Sequence, residues 1–108
     1  MLEKQEAQYE KVVLVGLITR EQSEEKLTEY MDELEFLAYT AGATVGERFT
    51  QRMDKPDSKF FVGSGKLDEI TAFVEEYDID TVIFDDELTP SQLKNIEKVV
   101  NKKIIINN

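Results

Sequence analysis

The sequence has no cysteine and no histidine, and only two prolines. Without cysteine there is no disulfide framework, no thiol nucleophile and no thiolate ligand for zinc. Without histidine there is no imidazole base to work near neutral pH. Long apolar runs are missing as well: none approaches the ~20 residues needed to cross a bilayer. The opening Met1-Leu2-Glu3-Lys4-Gln5-Glu6 lacks the apolar centre of a secretory leader. A cytoplasmic protein is the expectation. Positive charge is scarce, with 13 Lys and Arg against 23 Asp and Glu and a net charge of −10. That balance argues against indiscriminate nucleic-acid binding, whose affinity comes from phosphate contacts.

What is present is one domain's worth of chain: 108 residues, 41% of them hydrophobic, enough to bury about two-thirds of the unfolded surface. The charge is unevenly spread. Residues 48–66 hold Arg48, Arg52, Lys55, Lys59 and Lys66 against Asp54 and Asp57, a net +3 in a chain whose remainder carries −13. A basic loop on an acidic protein is either a solvated loop or a contact surface, and charge alone does not decide between them.

Hydrophobic periodicity organises the rest. Val12-Val13-Leu14-Val15-Gly16-Leu17-Ile18 reads as a strand buried on both faces, which points to a parallel sheet covered by helices. A helix follows, started by Thr19 or Ser23, with Leu27, Tyr30, Met31, Leu34, Leu37, Ala38 and Ala41 on its apolar face and Gly42 as its stop. Residues 44–52 alternate as a half-exposed strand with Val45 and Phe49 on one side. Residues 53–58 form a turn-rich loop around Pro56, and 59–62 a short strand on which Phe60 and Phe61 point to opposite faces. Gly63-Ser64-Gly65 turns into a helix with Leu67, Ile70, Val74 and Tyr77 on one face. Residues 81–84 are another buried strand. Thr89-Pro90-Ser91-Gln92 is a capping box with proline in the first turn, opening a helix with Leu93, Ile96, Val99 and Val100 inward. Ile104-Ile105-Ile106 is the last strand.

The order β-α-β-β-α-β-α-β predicts an α/β fold, three-layered, with a mostly parallel sheet and helices on both faces. Residues 1–11 read as a flexible extension and 12–108 as the domain. A chain that stops directly after a strand reads as a piece of a longer protein.

Three places carry candidate chemistry. Gly63-Ser64-Gly65-Lys66 looks like half of a phosphate-binding loop, but Phe60 stands where the first glycine belongs and Leu67 where the Mg²⁺-binding hydroxyl belongs. Gly63, Ser64 and Gly65 could still bind an anion through backbone N–H groups at a helix start, or merely permit a positive-φ turn. Asp85-Asp86-Glu87 falls at a strand's C-terminal end, where α/β sheets bind ligands. Asp85 and Asp86 are weak candidates for Mg²⁺, against the simpler reading of carboxylates beside a helix N-terminus. A receiver-domain reading fails, because Ile18-Thr19 and Asn107-Asn108 stand where an acidic pair and a lysine are required. Arg52 and Lys55, flanking the Pro56 loop, are best placed to meet a phosphate backbone.

Three segments in this order resemble the N-terminal domain of HflX-type GTPases: Thr50-Gln51-Arg52 with Asp54-Lys55-Pro56, then Val62-Gly63-Ser64-Gly65-Lys66 with Glu69, then Val82-Ile83-Phe84-Asp85-Asp86-Glu87-Leu88 with Pro90-Ser91-Gln92. Met53 stands where the family commonly has another basic residue, and Phe61 where Tyr is common. The resemblance spans residues 12–106. It implies a domain followed by a helical segment and a GTPase domain, in a protein that binds the large (50S) ribosomal subunit during splitting, rescue or maturation. It implies that Arg48, Arg52, Lys55, Lys59 and Lys66 are candidates for contact with ribosomal RNA, positioning on phosphate rather than reading sequence. GTP and Mg²⁺ are then expected for the full-length protein, with no cofactor and no catalytic residue in this part, since the GTPase motifs would lie beyond Asn108. Two other functions remain open: an ATP-binding domain using the Gly63–Lys66 turn, and an intramolecular regulator of the GTPase domain in cis.

Overall fold

The computed structural model describes residues 9–107. Its elements are β1 (Glu10–Ile18), α1 (Glu24–Thr40), β2 (Ala43–Arg52), α2 (Ser64–Glu76), β3 (Thr81–Phe84), α3 (Pro90–Val100) and β4 (Lys103–Ile106). The four strands form one parallel sheet in the order β2-β1-β3-β4. The chain thus winds outward to one side through β2, returns past β1, and continues on the other. The α/β class and the helices on both faces are as expected. The expected flexible extension falls mostly on residues 1–8, outside the described residues, while Glu10 and Lys11 already belong to β1.

β1 is central and buried on both faces, which is why its sequence is continuously apolar. Val13, Val15 and Leu17 enter a core shared with Leu67, Ile70 and Val74 of α2 and Ile96 and Val100 of α3. Val12, Leu14 and Ile18 enter a smaller core with Leu27, Met31, Leu34 and Ala38 of α1. Gly16 marks where α1 crosses: a Cβ there would lie 2.6 Å from both Leu27 Cδ1 and Met31 Cε. Ser23 caps α1 by accepting the Lys26 N–H, and Glu24 and Glu25 occupy its first turn. Gly42, at φ 87°, lets the chain reverse after it.

Four local expectations differ from what is observed. Val45 and Phe49 pack on opposite faces, because β2 carries a bulge: Val12 pairs with Val45 but Val13 pairs with Glu47, leaving Gly46 unpaired. One extra residue inverts the alternation beyond it. Residues 59–62 do not form a strand. Asp57 and Phe61 exchange two 2.9 Å backbone hydrogen bonds across an isolated bridge, and the Asp57 carboxylate accepts the N–H groups of Lys59 and Phe60. Phe60 and Phe61 therefore both pack against the larger core, instead of pointing to opposite faces. Finally, Tyr30, Leu37, Tyr77 and Val99 lie at the borders of their helical faces and are exposed. Gln92 takes an inward position on α3 instead.

A candidate nucleic-acid interface

All three helices begin at the C-terminal edge of the parallel sheet, so that edge gathers the three helix N-termini and their positive dipole ends. Two of these ends are closed. Ser23 caps α1, and Thr89 and Gln92 form a complete capping box on α3. The N-terminus of α2 has no side-chain cap and no acidic residue in its first turn. Its cap residue Gly63 donates its own N–H to Gln51 Oε1 at 2.9 Å. That contact explains the glycine: its φ is −64°, so no positive-φ turn is needed, but a Cβ would stand 3.0 Å from Gln51 Nε2. Gly65 has open space where a Cβ would be.

The loop before α2 is held firmly. Beyond the Asp57–Phe61 bridge, Val62 donates to the Phe60 carbonyl at 2.6 Å across Phe61, whose φ is 66°. That conformation is costly for a bulky residue. Phe61 is 1% exposed and meets Phe84 edge-on, with ring centroids 5.7 Å apart. From α3, Gln92 Nε2 donates to the Asp57 carbonyl at 2.7 Å and Asn95 Nδ2 to the Lys59 carbonyl at 3.1 Å. A loop fixed from three sides presents its side chains in a set geometry.

The five basic candidates occupy different surroundings. Arg48 lies within β2, and its guanidinium meets Asp32 and Glu35 of α1 at 2.9 Å each. Burial works to lower its pKa, but the hydrogen bonds and charges of those two acids outweigh it and leave the pKa raised. This charge is already matched within the fold. Lys66 is held 2.8 Å from Glu69, one turn along α2. Arg52, at the end of β2, is exposed and reaches Glu24 only at 3.4 Å. Lys59 is exposed and lies over the Phe60 ring at 5.1 Å. Lys55, beside Pro56, is exposed and has no ion pair among the described residues.

The fold adds a residue outside the basic window. Arg20 follows the end of β1, whose Ile18 pairs with Arg52, and both arginines line a cleft of about 300 Å³ with Thr19, Met53 and Asp54. Arg20 is 82% exposed, its nearest acid Asp54 at 3.9 Å. It was invisible as part of a basic cluster because the parallel pairing of β1 and β2 joins positions far apart in the chain. Its place just past a buried strand was the available signal. The larger cleft of about 420 Å³ lined by Lys11, Gly46, Phe73, Tyr77 and Ile79 lies at the opposite, N-terminal edge.

Past β3 the same edge turns acidic. Asp85, Asp86, Gln22, Tyr30 and Asn107 line a cleft of about 380 Å³. Asp85 Oδ1 accepts from Asn107 Nδ2 at 3.1 Å, while Oδ2 is enclosed without a hydrogen-bond partner. Burial raises the Asp85 pKa; the Asn107 hydrogen bond opposes this and the Asp86 charge adds to it. Among the described residues no group of three or more acidic side chains stands where it could hold a metal ion.

Sheet order, helix placement and the C-terminal-edge clefts define the class: a doubly wound α/β domain whose C-terminal sheet edge is lined by charged residues. The chain belongs to the family described as GTP-binding GTPase N-terminal, whose sequence model matches residues 28–106. It is 55% identical to the GTPase HflX of Flavobacterium psychrophilum over 105 residues, covering 97% of this chain and 25% of that protein. It is 41% identical to the GTPase HflX of Caldanaerobacter subterraneus, covering 89% of this chain and 22% of that protein. For the Escherichia coli GTPase HflX the identity is 32%, covering 77% and 20%. The chain thus spans about a quarter or less of the length of these curated relatives, and the resemblance to the N-terminal domain of HflX-type GTPases holds. The fold is shared with a solved structure of an SsGBP mutation variant, at a TM-score of 0.62 and 20% identity, over 87% of this chain and 28% of that one. No helix among the described residues is long and apolar enough to cross a membrane.

Proposed function

We propose that this domain contacts ribosomal RNA for a GTP-binding protein that associates with the large (50S) ribosomal subunit, in splitting, rescue or maturation of ribosomes. The observation that carries the reading is the basic end of the sheet edge. There Arg20 and Arg52 line one cleft, Lys55 and Lys59 stand exposed on the braced loop, and that loop leads into the uncapped N-terminus of α2. Each contributes by neutralising phosphate, a contact that positions without reading bases. The α2 N–H groups supply a second kind of phosphate donor. Lys66 stands at the same helix start, shared with Glu69. Arg48 is spent within the fold. In this reading GTP and Mg²⁺ belong to the longer protein, beyond the quarter that this chain represents.

The test is co-sedimentation of the chain with purified large subunits across a salt series, beside an Arg52→Glu/Lys55→Glu variant. Binding should fall steeply with salt, and the variant's log–log salt slope should be shallower by about 0.7–0.9 for each lost contact. Equal binding by the variant would remove this loop from the interface. Absence of binding at low salt would remove the RNA-contacting role from this domain.

A further inference from the structure

The ion pairs made by the basic candidates are of two kinds. Arg48 meets Asp32 and Glu35 at 2.9 Å each, and Lys66 meets Glu69 at 2.8 Å, with both basic side chains at most 31% exposed. These are short, charge-assisted contacts within the fold. The two arginines at the C-terminal edge are held loosely instead. Arg20 Nε stands 3.9 Å from Asp54 Oδ1 and Arg52 Nη2 stands 3.4 Å from Glu24 Oε2, and all four side chains are at least 67% exposed. Pairs so exposed gain little from their own attraction. Arg20, Arg52 and Asp54 also line one cleft with Thr19, and the Met53 N–H, donating to the Ile18 carbonyl at 2.9 Å, ties its two chain segments together. The backbone of the cleft is fixed, while its charges are free to exchange partners.

We propose that Asp54 and Glu24 are internal competitors of RNA phosphate, which displaces them from Arg20 and Arg52 on binding, so that these two acids set how tightly the cleft holds RNA. The inference rests on the RNA-contacting reading of this domain and adds the element that regulates it. A carboxylate and a phosphate offer a guanidinium the same kind of acceptor, so they compete for the same N–H groups. A displaced acid stays tethered beside the incoming phosphate and repels it. Two acids facing two arginines leave this part of the edge near neutrality until a phosphate arrives at contact distance, which disfavours loose association with any polyanion. Asp54 is the stronger competitor, because it lines the cleft itself. Glu24 also faces the N-terminus of α1, in whose first turn it stands.

The test measures binding of the chain to purified large ribosomal subunits, comparing the parent with Asp54→Asn, Glu24→Gln and the exposed α1 control Glu33→Gln. Asp54→Asn should bind about fivefold tighter at low salt, the worth of one charge contact near 4 Å in water. Glu24→Gln should gain less, and Glu33→Gln least of all. The Asp54→Asn gain should shrink as salt rises. It should also vanish in an Arg20→Gln background, where the double variant binds no tighter than Arg20→Gln alone. Salt-sensitive parent binding that Asp54→Asn leaves unchanged would overturn the competition and leave the RNA-contacting reading standing. An equal gain from Glu33→Gln, or a gain that survives Arg20→Gln, would reduce the effect to net charge and overturn the proposal as well. No parent binding at low salt would overturn the RNA-contacting reading, and the competition with it.

Discussion

The two ends of one sheet edge are built alike and charged oppositely. At the β1–β2 end, two strands finish, a loop follows and a helix begins, and the side chains presented are Arg20 and Arg52, each near one acid (Asp54 and Glu24), with Lys55 and Lys59. At the β3–β4 end the same plan presents Asp85 and Asp86. The ends also differ in how they are held. The basic loop is braced from α3 by Gln92 and Asn95, while at the acidic end an enclosed carboxylate oxygen has no donor. A net charge of −10 therefore describes the average of an edge that is polarised along its length. What decides the partner at each end is the local field within about a Debye length, on the order of 8–10 Å in physiological salt.

The comparison breaks most severely if the brace is removed. Gln92 is 6% exposed and acts twice, closing the α3 capping box and donating to the Asp57 carbonyl. Gln92→Ala forfeits the back-bond of the box and one of the two hydrogen bonds that the Asp57 carbonyl accepts, the Phe61 N–H remaining as its partner. The expected loss is about 1–2 kcal/mol, read as a lower urea midpoint. Because Asp57 anchors the strained Phe61 turn, faster amide exchange should appear at Lys59, Phe60 and Phe61 before it appears in β1. Uniform destabilisation with no local loosening would mean that the loop owes its shape to its own backbone, and that the two ends differ in charge alone.

How far the sequence revealed this arrangement follows from the range of the interactions involved. β1, the Thr89 cap and the stop at Gly42 depend on neighbours within a few residues, and each was legible; for the first helix the sequence left Thr19 and Ser23 both open as caps, and Ser23 is the one used. The bulge at Gly46 was not, because it is a relation between two strands and shows in β2 only as one more glycine. The brace was not legible either: Gln92 reaches a carbonyl 35 residues away, although its capping role could be read locally. For Gly63 the positive-φ alternative does not hold, since its lack of a Cβ accommodates Gln51 at a φ of −64°. Among the basic candidates, charge and loop position singled out Arg52 and Lys55 but could not reveal that Arg48 is matched across 13 residues to Glu35.

Arg48 gives the next sharpest test, because it lies on the same strand as Arg52 and has the same charge. Its side chain is 31% exposed and its guanidinium is bound to two carboxylates. Arg48→Ala should cost on the order of 1 kcal/mol, since the acids left behind, Asp32 and Glu35, remain solvated. It should leave the salt slope of large-subunit binding unchanged, unlike the Arg52→Glu/Lys55→Glu pair. A slope reduced as much as by Arg52 would show that the basic surface extends along β2 and is not a property of the sheet's end.

The smallest expected effect belongs to the acidic end. Asp85 titrates near 3.8 when unfolded, and burial raises its pKa in the fold, opposed by the Asn107 hydrogen bond and aided by the Asp86 charge. The folded state therefore holds this proton more tightly. Asp85 contributes its stabilisation fully below pH 3.8 and loses it as pH rises through the folded value. At neutral pH the ionised carboxylate is a burden that the fold tolerates. Asp85→Asn keeps an acceptor for Asn107 and removes that burden, so the variant should have a slightly higher urea midpoint at neutral pH. The difference should close as the pH is lowered toward about 3, where the aspartate is protonated in both states. A variant less stable than the parent at neutral pH would mean that the charge is already satisfied within the domain. The acidic end would then be as self-contained as Arg48.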